Sequence, residues 1–333
     1  MSAVDPVRLG RASLTVSRLG LGTAWFGNFL YPTRPETVAD TLEAALDAGI
    51  RLVDTAPFYG LGLAEQRIGP VLRSRPRDSF VLCTKVGRML RPRTPDDPDL
   101  LDQGRPVFVD APPLHPYFDF SYDAALRSVE ESLERLGLDR VDIALIHDPD
   151  DHYEQAVAGA YRALERLRAE GTVSAIGVGM NQAEMLVRFA RETDIDCVLL
   201  ACRYTLLDQS GLVELLPLCA DKGIAVIIGG VYNTGYLANP LPGGIYNYRP
   251  ATPEIYGRAL RIREICERYS VPLKTAALRF PFGHPAVTTV LAGVRDRREL
   301  EENVAALQYP IPEQMWQELR AEGLLPEHAP IPS

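Results

Sequence analysis

Four side chains in this sequence have the types and the spacing for proton transfer. Asp54 and Tyr59 share the stretch Val53-Asp54-Thr55-Ala56-Pro57-Phe58-Tyr59-Gly60; Lys85 closes the apolar run Phe80-Val81-Leu82-Cys83-Thr84-Lys85; His147 follows Val141-Asp142-Ile143-Ala144-Leu145-Ile146. Taken singly, Asp54 reads as a turn or helix cap and Tyr59 as packing. Taken together they describe an acid–base tyrosine. A phenol with an ordinary pKa of about 10 moves protons poorly at neutral pH unless a neighbouring cation favours its anion. Lys85 is that cation, a buried ammonium needs a counter-ion, and Asp54 is the obvious one. His147 is then placed to orient or polarise a substrate oxygen opposite the phenol.

Such a set works only if separate elements bring it to one place. After a hairpin at 7–17, the chain alternates short apolar runs with amphipathic stretches of helical period: strand 19–23 and helix 35–48, strand 51–55 and helix 64–72, strand 80–85 and helix 122–136, strand 141–146 and helix 153–170. The alternation continues through strand 173–178 and helix 182–192, strand 197–201 and helix 211–221, strand 224–228 and helix 253–269 with a short helix at 273–280, and strand 288–291, closing with helices 296–307 and 313–322. Near-continuous apolar strands joined by helices describe a parallel sheet covered on both faces. The expected fold is a (β/α)8 TIM barrel with an N-terminal hairpin and extra C-terminal helices, one domain over 1–333. Asp54, Lys85 and His147 then lie at the C-terminal mouth, where such barrels carry their chemistry. An open doubly wound sheet is the rival, but Gly20-Leu21-Gly22-Thr23-Ala24-Trp25 lacks the third glycine of a dinucleotide turn. Two irregular segments interrupt the rhythm. Residues 88–120 hold seven prolines and are long enough for a lid or binding loop, or for disorder; residues 232–252 are rich in Gly, Pro, Asn and Tyr.

Composition removes other classes. No apolar run reaches the ~18 residues that cross a bilayer, and the first ten residues lack the core of a secretory signal, so a cytoplasmic protein without a membrane partner is expected. With 35 Lys plus Arg against 44 Asp plus Glu, the net charge of −9 argues against nucleic acid. Cys83, Cys197, Cys202, Cys219 and Cys266 are odd in number and widely spaced, which reads as buried thiols without disulfides and without a metal cage.

The residues also match a known pattern: the chain resembles the aldo-keto reductases. Their Asp-Thr-Ala-x-x-Tyr-Gly motif stands at Asp54 to Gly60, their Thr-Lys pair at Thr84-Lys85, the strand-end histidine in Leu145-Ile146-His147-Asp148, and a Gly-x-Gly-x-Asn turn at Gly177-Val178-Gly179-Met180-Asn181. The resemblance runs from the hairpin to Asn303. It implies a (β/α)8 barrel with Asp54, Tyr59, Lys85 and His147 as the catalytic set, and NAD or NADP as cofactor. By position, Gly22, Thr23 and Ala24 floor the nicotinamide beside Asp54, and Asn181 holds the carboxamide. Gly230, Val231, Tyr232 and Asn233 follow the pyrophosphate, with the adenosine near Gly293, Val294, Arg295, Arg298, Glu302 and Asn303. The sequence departs from the family where its amide-binding Gln becomes Ala201 and its ring-stacking aromatic becomes Gly229. Phosphate-dependent members carry Lys where Gly293 stands and Arg where Glu299 stands; with Asp296 and Glu299 near the ribose, NAD is expected over NADP, although Arg295 and Arg298 argue the other way.

Ile146-His147-Asp148-Pro149-Asp150, Arg203-Tyr204-Thr205-Leu206-Leu207-Asp208-Gln209, Tyr232-Asn233-Thr234-Gly235 and Lys85-Val86-Gly87-Arg88 are similar to the branch of aldose 1-dehydrogenases, with pyridoxal 4-dehydrogenase in the same neighbourhood. That implies oxidation of an aldose such as L-fucose or D-arabinose at its anomeric carbon to the lactone, with Tyr59 taking the hydroxyl proton. Trp25, Phe26, Phe58 and Tyr59, with His147, are the expected substrate wall, since aromatic faces suit the apolar face of a sugar. Alternatives are an aldehyde or carbonyl reductase running the same residues in reverse, and a redox-sensing subunit that keeps the cofactor but turns over slowly. The expected partner is a small sugar or aldehyde, and the expected assembly a monomer or small homo-oligomer.

Overall fold

Eight short strands carry the fold, and their period of two decides which side chains face the barrel axis. In the computed structural model, which describes residues 2–332, they are β1 (Leu19–Gly22), β2 (Leu52–Asp54), β3 (Val81–Val86), β4 (Ile143–His147), β5 (Ala175–Met180), β6 (Cys197–Ala201), β7 (Ala225–Gly229) and β8 (Val287–Gly293). Each pairs in parallel with the next, and β8 returns to β1, closing the barrel. Leu52, Val81, Cys83, Ile143, Leu145, Cys197, Leu199, Ala225, Ile227 and Leu291 fill the interior. The residues between them, among them Val53, Leu82, Ala144, Ile146, Val178, Val198 and Ile228, pack outward against the helices. Asp54, Lys85 and His147 continue the inward set at the mouth, because each stands two residues beyond an interior residue of its strand.

The helices are α1 (Pro35–Asp47), α2 (Leu63–Arg73), α3 (Tyr122–Leu136), α4 (Tyr161–Ala169), α5 (Ala183–Glu192), α6 (Leu215–Lys222), α7 (Pro253–Arg268), α8 (Leu273–Arg279), α9 (Arg297–Gln308) and α10 (Glu313–Ala321). Local chemistry sets their ends: Ser121 accepts from the Ala124 amide at the start of α3, Gly137 closes it in the left-handed conformation, and Asp296 accepts from the Glu299 amide at the start of α9. The N-terminal hairpin pairs Pro6–Arg8 with Thr15–Ser17, and its Leu9, Ala12 and Val16 join the interior cluster, so it plugs the end opposite the chemistry.

The expected fold class stands, with local differences. The helix read over 153–170 begins as a single turn, Tyr153–Gln155, passes through a π-helical segment, Ala156–Ala160, and only then becomes α4. The helix read from 211 starts with a 3-10 turn, and α6 proper begins at Leu215. The proline-rich 88–120 segment folds as an excursion: Arg88–Pro92 pairs antiparallel with Leu114–Phe118, and a smaller hairpin, Leu101–Asp102 with Arg105–Pro106, forms at its tip. Proline-interrupted pairing of this kind leaves little apolar periodicity to read. Residues 232–252 hold a matching small hairpin, Ile245–Tyr246 with Arg249–Pro250.

Candidate active site

The mouth is a cleft of about 820 Å³, and its floor is divided. On one side the inward residues at the strand ends are Asp54, Lys85 and His147. On the other they are Gly22, Gly179, Ala201, Gly229 and Gly293, so half the floor has almost no side chains. A Cβ built on Gly22 meets nothing closer than 3.7 Å, so it projects into the open cleft. That glycine and alanine floor is a cradle for a flat ring. Asn181 stands at its edge with a carboxamide bonded to no protein group among the described residues.

Lys85 is the hub of the other half. Its Nζ donates to both carboxylate oxygens of Asp54 at 2.8 Å, to the Thr55 carbonyl at 2.9 Å and to the Tyr59 hydroxyl at 3.1 Å. Burial works against its charge, but Asp54, Tyr59 and Cys83 outweigh it, and the Lys85 pKa ends above the usual lysine value. The ammonium therefore stays charged. Thr23 locks the arrangement from behind, its amide and hydroxyl both donating to the Asp54 carbonyl.

Tyr59 feels opposed pulls. Burial pushes its phenol up, Lys85 pulls it down, Asp54 pushes up again, and the outcome is a pKa of about 12. Lys85 favours the anion in the expected direction, but the ammonium offsets only part of the desolvation. His147 stands edge-on to the Tyr59 ring, 6.0 Å between centroids. Burial, then Arg88 and Lys85, hold its pKa well below the ordinary value, so it is a neutral imidazole whose buried Nδ1 has no protein partner. A charged lysine, a protonated phenol beside it and a neutral imidazole across from it can bind a carbonyl or hydroxyl oxygen and exchange one proton with it.

Of the other residues singled out in the sequence, Gly22, Thr23, Ala24, Asn181, Gly230, Val231, Tyr232, Gly293, Arg295, Glu302 and Asn303 all line the cleft. Two do not. Asn233 is fully buried behind the wall, its amide donating to Asn247 at 2.9 Å, and Arg298 lies outside it, paired with Glu302. Tyr232 and Asn303 meet through a 2.7 Å hydrogen bond. At the substrate end Trp25 and Phe58 line the cleft, but Phe26 is entirely buried against the core and makes no wall. Sequence reasoning missed Phe108, which the long excursion brings edge-on to Phe58 at 5.1 Å, and Lys274, Asp102 and Tyr248. No local pattern marks them, since they lie on α8 or in the irregular segments. Arg88 and Asp148, adjacent to recognised motifs, carry a usable signal: a charged pair beside the strand ends that supply Lys85 and His147.

Comparison with known proteins agrees with this geometry. The sequence model of the Aldo/keto reductase family matches residues 18–322. A D-threo-aldose 1-dehydrogenase of a Pseudomonas species is 41% identical over 329 residues, covering 98% of this chain and 99% of that protein. A pyridoxal 4-dehydrogenase of Microbacterium luteolum is 39% identical, with 98% and 99% covered. Among solved structures, an aldo-keto reductase from Bacillus halodurans in its holo form superposes with a TM-score of 0.75 at 27% identity, covering 96% of each chain.

Proposed function

The chain belongs to the aldo/keto reductase family and is a nicotinamide-dependent oxidoreductase acting on CH–OH donors, and from that premise we propose that its substrate is an aldose oxidised at the anomeric carbon to the lactone. The observation that carries the aldose reading is the near-full-length likeness to a D-threo-aldose 1-dehydrogenase. A substrate end walled by the flat faces of Trp25, Phe58 and Phe108 agrees with it.

Asp54, Tyr59, Lys85 and His147 are the proposed catalytic set. Gly22, Gly179 and Gly229 would seat the nicotinamide, with Asn181 at its carboxamide; when bound, that ring accepts the hydride. The side chains do the rest. His147 and Tyr59 hold the anomeric hydroxyl between them. As the C1–H bond gives up its electron pair, ionised Tyr59 takes the hydroxyl proton, C1=O forms, and the ring ester is released. Lys85 keeps the phenolate beside a positive charge, and Asp54 keeps Lys85 in place. In reverse, protonated Tyr59 donates to a carbonyl oxygen.

The proposed cofactor is NAD. Glu299 and Glu302 line the cleft near the adenosine end, and nearby cations are already committed: Arg295 to Glu299, and both Lys274 and Arg298 to Glu302. A 2′-phosphate would meet like charge and have to break these pairs. A cytoplasmic location agrees with five buried free thiols. Assaying aldoses and pyridoxal with NAD and NADP tests the whole reading. The expected result is oxidation of D-threo-configured aldoses with NAD; pyridoxal as the better substrate would favour the second reading, which the 39% relative supports, and a tenfold preference for NADP would overturn the cofactor assignment.

A further inference from the structure

Beyond the four residues just described, the substrate end holds an ion pair whose construction is more elaborate than packing requires. At the end of β3, Gly87 adopts φ +101°, and any Cβ there would lie 2.1 Å from the Phe120 ring, so only glycine turns the chain here. The turn sends Arg88 back over the mouth. Its guanidinium carbon lies 4.3 Å from the centroid of the Phe58 ring and 5.2 Å from that of Phe118. Held this way, Arg88 Nη2 reaches Asp148 Oδ2 at 2.7 Å. Asp148 itself has φ +46°, a left-handed conformation, and its amide donates to the Gly179 carbonyl at 3.0 Å. Its carboxylate thereby stands 3.6 Å from His147 Nε2, in the wall of the cleft.

Both residues of the pair line the cleft, and Asp148 Oδ1 has no protein donor among the described residues. A partly buried ion pair is weak evidence for stability, because its desolvation offsets most of its attraction. Two strained or glycine-dependent backbone positions supporting one pair beside the reacting centre are better accounted for by recognition.

The geometry points to Asp148 and Arg88 as the residues that read the hydroxyl on the carbon next to the one oxidised. This rests on the aldose reading above. Oxygens on adjacent ring carbons stand about one hydrogen-bond length apart, the same scale as the gap between His147 Nε2 and Asp148 Oδ2. With the anomeric oxygen between Tyr59 and His147, the neighbouring hydroxyl falls against Asp148 and Arg88. A hydroxyl both donates and accepts, and the pair offers one acceptor and one donor. A substrate lacking that group leaves the second carboxylate oxygen of Asp148 desolvated and unanswered, which is how polar sites reject deoxy analogues.

The test compares kcat/KM for an aldose and for its 2-deoxy analogue, with NAD, in the wild type and in Asp148→Asn, Arg88→Met and Arg88→Lys. The wild type is expected to prefer the parent sugar by about 30-fold or more. In Asp148→Asn and Arg88→Met the ratio falls to about threefold, chiefly through a higher KM for the parent sugar, while Arg88→Lys recovers part of it. A wild-type ratio below threefold, or a ratio unchanged in both variants, overturns the assignment and leaves the aldose reading intact. Absence of turnover with either sugar overturns both. The wild-type comparison decides even if a variant fails to fold.

Discussion

Tyr59 hydroxyl stands 3.1 Å from Lys85 Nζ, and that contact controls what the phenol does with its proton. Tyr59→Phe removes the phenol proposed to exchange it. We expect kcat to fall by about 10³-fold or more while NAD binds within a few-fold of wild type, as measured by equilibrium fluorescence titration; retention of most activity would move the proton transfer to another residue. The pKa of about 12 sets the sign of the pH dependence. In the proposed mechanism, oxidation needs the phenolate, whose population below that value rises about tenfold per pH unit, so the oxidative rate is expected to climb from pH 7 to 10 while the reductive rate does not. His147 is held neutral by burial and by Arg88 and Lys85, so no step near pH 6.5 interrupts the climb. A pH–rate profile in both directions checks each part.

At the scale of elements, the strand ends and their turns hold these distances. The turn after β2 is packed backbone against backbone: Gly60 has φ +65°, and a Cβ on it would come 2.5 Å from the Gly27 carbonyl oxygen. Gly60→Ala must push Tyr59 away from Lys85, and displacements of that kind cost catalysis out of proportion to their size. We expect kcat to drop by at least tenfold, with a lower Tm. Behind β3, Thr84 points outward and donates to Glu65 of α2, which Arg135 of α3 also binds at 2.6 Å. This buried link ties two helices to the strand that carries Lys85. Glu65→Leu removes the nearest carboxylate of the Arg135 guanidinium at a cost of about 3 kcal/mol, and thermal denaturation should show a Tm lowered by roughly 4 °C; Glu65→Gln, which keeps an acceptor for Thr84, should lose less.

For the molecule as a whole, the two irregular segments meet over the cleft. Gln103, at the tip of the 88–120 excursion, donates to the Tyr248 carbonyl of the hairpin beyond β7 at 3.2 Å. A cofactor bound in this cleft, as proposed, would stabilise the folded state by mass action, about 2.7 kcal/mol at a hundredfold excess over Kd. Saturating NAD should therefore raise Tm by several degrees, and NADP at the same concentration by less; an equal or larger shift with NADP would contradict the role given to Glu299 and Glu302. Among the described residues no helix is long and apolar enough to cross a membrane.

The sequence by itself determined the strand–helix alternation, because burial of a parallel strand on both faces leaves a local apolar signature. It also determined the four strand-end and turn residues Asp54, Tyr59, Lys85 and His147, since period-two alternation from Leu52, Cys83 and Leu145 points three of them inward. Local pattern could not reveal the aromatic contact of Phe108 with Phe58, the outward turn of Arg298 or the burial of Asn233 and Phe26. Those depend on how segments distant in the chain are folded over the mouth, and on which charges find partners first. Tertiary structure also decided the net state of Tyr59, because desolvation is a property of the assembled cleft and in this protein it outweighs the neighbouring ammonium.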